Sequence, residues 1–72
     1  MTREELIRRL RRIAKARGVA FDVLASRGKG GHWTVRFGDV SLPVPQAHGR
    51  DLATGTVRGI LRRFGIAKKD LE

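Results

Sequence analysis

The sequence predicts an α+β domain in the order helix, three antiparallel strands, helix. Three patterns carry that prediction. Apolar residues recur at helical spacing near the N-terminus and again near residues 54–65. Between them, runs of alternating apolar and polar residues mark strands. Glycine and proline clusters separate the runs. Seventy-two residues make one small domain, spanning residues 1–72. A chain this short buries only ~60% of its unfolded surface, so two layers are the practical limit. No buried cofactor pocket fits beside such a core, and no cofactor is expected.

The first helix opens at Thr2, with Glu5 three residues on in capping-box spacing. Glu4 and Glu5 suit the positive end of its dipole. Leu6, Leu10, Ile13 and Ala14 form one stripe, with Ile7 beside it, and Gly18 is the expected stop. Arg8, Arg9, Arg11, Arg12 and Lys15 cover the remaining surface. Read as cations without acidic partners four residues away, they repel one another mildly and point to an anionic partner.

Val19 to Ala25 reads as the first strand, with Val19, Phe21, Val23 and Ala25 on one side. Leu24 breaks the alternation, which suggests a bulge or a partly covered second face. The second strand, His32 to Phe37, points Trp33, Val35 and Phe37 one way and His32, Thr34 and Arg36 the other. Gly38-Asp39 is a tight-turn signal. Val40, Leu42 and Val44 form a third strand, and Pro43 and Pro45 mean that it is an edge strand or leaves the sheet there.

The segment "QAHGRDLATGT" reads as loop. A second helix begins near Thr54 to Thr56, carries Val57, Ile60, Leu61 and Phe64 at helical spacing, and stops at Gly65. Gly59 costs this helix about 1 kcal/mol relative to alanine, so its presence predicts close packing against another backbone. The tail "IAKKDLE" is expected to form at most one loose turn. Both helices press onto the apolar sheet face, leaving His32, Thr34, Arg36 and Ser41 on a polar one. That arrangement resembles the double-stranded-RNA-binding fold.

Sixteen Lys and Arg against seven Asp and Glu give a formal charge of +9. Such a charge attracts polyanions, nucleic acid above all. An acidic protein partner is compatible with the same balance. Cysteine is absent, which excludes disulfides and thiolate metal sites. No apolar run suits a membrane span or a signal peptide, so a cytoplasmic protein is expected.

The stretch "RGKGGHW" sets a basic glycine loop, Arg27 to Gly31, before His32. Glycines let backbone N–H groups approach phosphate, and Arg27 and Lys29 add charge. The spacing is neither that of a P-loop nor that of a dinucleotide fingerprint. Histidine is the side chain suited to proton transfer near neutral pH. RNA carries its own nucleophile, the 2′-hydroxyl beside the scissile phosphate. A histidine with nearby Lys or Arg could therefore cut RNA without metal. No acidic cluster has metal-ligand spacing, and no Ser/His/Asp set is evident.

Taken together, "GKGGHW" (Gly28 to Trp33), "LPVP" (Leu42 to Pro45) and "AHGRDLATGTVRGILRRFGI" (Ala47 to Ile66) resemble the HicA toxin family. These are bacterial mRNA interferases of toxin–antitoxin pairs. Gly55, Thr56, Val57, Arg58, Ile60, Leu61, Gly65 and Ile66 match that family's last motif in order and spacing. Gly31 stands where serine is commoner, and Trp33 where a second histidine or polar residue is frequent.

The resemblance implies a double-stranded-RNA-binding-like fold and endoribonuclease activity with His32 as catalytic residue. It also implies an mRNA substrate and a HicB-type antitoxin that masks the site. The RNA contacts expected are Arg27, Lys29, Gly30, Gly31, Arg36, His48 and Arg50; Lys29, His48 and water are all open as the general acid. A non-catalytic RNA-binding module of the same fold is the alternative, with arginines of the first helix as phosphate contacts.

Overall fold

A computed structural model of the chain describes residues 1–25, 32–45 and 50–71. It is an α+β fold whose three-stranded antiparallel sheet is β1 (Phe21–Leu24), β2 (Trp33–Phe37) and β3 (Val40–Val44), in that spatial order. Among the described residues three helices accompany it: α1 (Arg3–Arg17), α2 (Thr54–Phe64) and the single turn α3 (Lys68–Leu71).

Helix α1 has the ends its sequence predicts. The Thr2 side chain accepts a hydrogen bond from the Glu5 N–H at 3.2 Å. Gly18 closes the helix at φ 69°, where its N–H and that of Val19 return to carbonyls of the last turn. That closure corrects the expected start of β1. The Val19 N–H is spent on the Ala14 carbonyl at 3.0 Å, so Val19 ends the helix rather than beginning the strand.

The ladder β1–β2 pairs Phe21 with Phe37 and Val23 with Val35 without interruption. There is no bulge at Leu24, which stands 68% exposed on an uncovered second face. Alternation then sorts the sheet. Val35, Phe37, Leu42 and Val44 are buried, and Phe21, Val23, Trp33 and Val40 pack against that core. Asp22, Leu24, Thr34, Arg36, Ser41 and Pro43 are exposed on the other face.

Backbone pairing explains how β3 tolerates proline. The Gly38 N–H donates to the Ala20 carbonyl at 2.8 Å, so the odd-numbered residues of β2 bond to β3. Their partners are Val40, Leu42 and Val44. The Pro43 nitrogen therefore faces away from β2, where no N–H is required.

The helices cover the apolar face: α1 lies on β1 and β2, α2 on β3, and α3 against α1. Leu6, Leu10, Val35 and Val44 are the largest fully buried side chains. The Phe37 and Phe64 rings, 5.4 Å apart, join the sheet to α2. Three further core residues come from segments too short to show periodicity: Leu52, Ile66 and Leu71. The tail is therefore not loose, since Leu71 is buried and the Arg9 guanidinium reaches its carbonyl at 3.4 Å.

Gly59 also departs from expectation. A Cβ there would meet nothing within 4 Å, so close packing is not the reason for the glycine. Instead Gly55 and Gly59 leave a shallow groove of about 270 Å³ beside Leu42 and Pro43.

Candidate nucleic-acid site

His32 immediately precedes β2 and is exposed. The strand thus begins one residue later than its sequence predicts; extending the alternation of β2 back by one residue puts His32 in phase with Thr34 and Arg36, on the sheet face turned away from the helices. Its in-strand neighbour Trp33 takes the opposite direction, under the guanidinium of Arg3, whose carbon lies 3.6 Å from the ring centroid. The alternation that turns Trp33 toward the core thus leaves His32 open to solvent. An exposed imidazole can give and take protons with a bound ligand at no cost to the core.

The cations around His32 are fewer, among the described residues, than the sequence suggests. Arg36 shares its face, but four residues of extended strand separate the two by about 13 Å. The Arg36 Nε also donates to the Gly38 carbonyl at 3.0 Å, which turns the guanidinium toward the hairpin turn. Arg36 is therefore directed along the strand away from His32. Asp22 and Ser41 flank Arg36 across the sheet. Arg50 is exposed, one residue before Asp51, whose carboxylate pairs with the N-terminal ammonium at 3.1 Å. Arg27, Lys29, Gly30, Gly31 and His48 lie outside the described residues. No group of three His, Asp or Glu side chains among the described residues could hold a metal ion.

Most arginines of α1 contact other groups of the fold. Arg9 pairs with Glu5 at 3.1 Å, and Arg8 approaches the same carboxylate at 3.9 Å. The expectation that these cations lack acidic partners was therefore wrong: Glu5 and Arg9 stand four apart on one helix face. Arg17 bonds the Gly65 carbonyl and pairs with Asp70 at 3.5 Å, tying α1 to the C-terminal segment. Arg3 is 6% exposed and Arg11 lies over the Phe21 ring. Several of the expected phosphate contacts are thus engaged within the fold.

The cations the sequence reading passed over are on α2. Arg58, Arg62 and Arg63 are exposed and flank the bare backbone of Gly55 and Gly59. The helix contains no acidic residue. Its polar stripe was legible at helical spacing, on the side of the helix away from the apolar stripe that identified it. These arginines lie on the helix side of the sheet, and His32 on the opposite side.

No known protein family, curated protein or solved structure matches this chain.

Proposed function

We propose that the chain is an endoribonuclease of the HicA toxin type, built on a double-stranded-RNA-binding-like scaffold. The observation that carries this reading is His32, an exposed imidazole on the solvated sheet face directly after a basic glycine segment. It accepts the proton of the RNA 2′-hydroxyl as that oxygen attacks the neighbouring phosphate; the P–O5′ bond breaks, the 5′-oxygen leaves with a proton from Lys29, His48 or water, and a 2′,3′-cyclic phosphate remains. Arg27 and Lys29 steady the added charge on the phosphate. Arg36, directed toward the hairpin turn, contacts the RNA strand further along its backbone. The substrate is mRNA, no metal or other cofactor is required, and the protein acts in the cytoplasm. A HicB-type antitoxin restrains it by covering His32 and the basic segment.

Wild type and His32→Ala, expressed side by side and scored for growth and RNA integrity, test the proposal. Loss of a general base lowers turnover by about 10²–10⁴-fold. Undiminished toxicity in the variant would refute the assignment.

A second reading, RNA binding without cleavage, draws on the exposed arginines of α2, which need no histidine to hold phosphate. Labelled RNA incubated with the protein in EDTA separates the two: retarded but intact RNA favours binding alone.

A further inference from the structure

Among the described residues the two edges of the sheet, on β1 and β3, carry no further strand, and they are not equivalent. On β3 the outward-facing positions are Ser41 and Pro43, so proline removes a donor from that edge. On β1 the hydrogen-bonded pairs with β2 are Asp22–Arg36 and Leu24–Thr34, in phase with the Gly38–Ala20 bond. The N–H and C=O groups of Phe21 and Val23 therefore face outward. No partner satisfies them among the described residues. Neither proline nor bulge blunts this edge, and Leu24 leaves apolar surface beside it.

Helix α1 supplies charge above the same edge. Its Arg9 and Arg17 flank faces the C-terminal segment, through Leu71, Gly65 and Asp70. Its other flank carries Arg11, placed over Phe21, with Arg8 and Lys15 one turn before and after, all exposed, Arg8 also lying 3.9 Å from the Glu5 carboxylate. From these observations we infer that β1 is a docking edge for an extended, acidic segment of a partner protein, which adds as a fourth strand. The backbone ladder of Phe21 and Val23 holds the segment, and Arg8, Arg11 and Lys15 select its carboxylates.

Two other occupants fit less well. Nucleic acid would satisfy the cations but offers few donors for the outward carbonyls. A second copy would bring two α1 flanks of like charge together, in chains of +9 each. The inference rests on strand register and helix placement, so it stands or falls separately from RNA cleavage.

The test uses short synthetic peptides alternating valine and glutamate, the same with lysine for glutamate, and the glutamate peptide with its central amides N-methylated. Titration of the full chain is followed by amide NMR shifts and hydrogen exchange. The glutamate peptide is expected to shift the Phe21 and Val23 amides and slow their exchange. The lysine peptide should bind at least about tenfold more weakly, and the methylated one should not bind.

Val23→Pro removes an outward donor and should abolish binding while leaving the Asp22 and Leu24 pairings. If that variant fails to fold, the triple variant Arg8→Glu, Arg11→Glu, Lys15→Glu decides instead, because it should prefer the lysine peptide. The inference is overturned if the glutamate peptide leaves β1 unperturbed, if the methylated peptide binds equally well, or if charge reversal leaves the preference unchanged. It is equally overturned if an RNA oligonucleotide, or rising protein concentration alone, produces the β1 shifts.

Discussion

Arg3 and His32 differ most in what their surroundings demand. Arg3 is buried, and its guanidinium covers the Trp33 ring at 3.6 Å. A desolvated cation–π contact of this kind contributes about 2 kcal/mol, and the aliphatic stem adds packing. Arg3→Ala is therefore expected to destabilise the fold by about 2 kcal/mol in urea denaturation. Arg3→Lys should recover only part of this, because an ammonium cannot stack flat on indole. Arg8→Ala, on the exposed flank, should stay within about 0.5 kcal/mol of wild type. His32 is exposed on the face without helices, so His32→Ala should leave the melting temperature unchanged. Exposure of His32 was legible from strand alternation alone. The role of Arg3 was not, because its aromatic partner is thirty positions away and a basic residue near a helix start looks solvated.

Helix α2 begins without the cap that α1 has. Its N-cap is Ala53, with no side-chain hydrogen bond, and no acidic residue stands in its first turn. Ala53→Asp should therefore stabilise the protein by about 1 kcal/mol, through a cap and a favourable charge at the helix dipole. Gly59→Ala meets no obstruction and should add up to about 1 kcal/mol. Thermal unfolding of the two variants checks both values. In α1 the cap is present, and Thr2→Ala should cost about 1 kcal/mol.

The long helices and the strands announced themselves because burial of one face imposes a period on the sequence. Leu52, Ile66 and Leu71 reach the core from stretches of one turn or less, where no period can develop. The β1 boundary moved for a related reason. Val19 suits a strand by composition, but its N–H completes the helix cap.

Across the whole molecule, the sheet divides two kinds of surface. The helix side carries the exposed arginines of α2, and the opposite side carries His32. Net charge was plain in the sequence, but its distribution depended on which arginines the fold engages. If RNA binds through α2, replacing Arg58, Arg62 and Arg63 by alanine should weaken binding to every sequence alike. It should also reduce the slope of log affinity against log salt by about 2 for single strands. Filter binding across a salt series measures that slope, and an unchanged slope would remove α2 from the interface.

The most direct test of the His32 assignment is a cleavage time course on end-labelled RNA in EDTA, with wild type and His32→Ala matched for melting temperature and RNA affinity. The wild type should cut and the variant should be at least about 10²-fold slower. Equal rates in the two proteins, or RNA left intact by the wild type, would contradict the account.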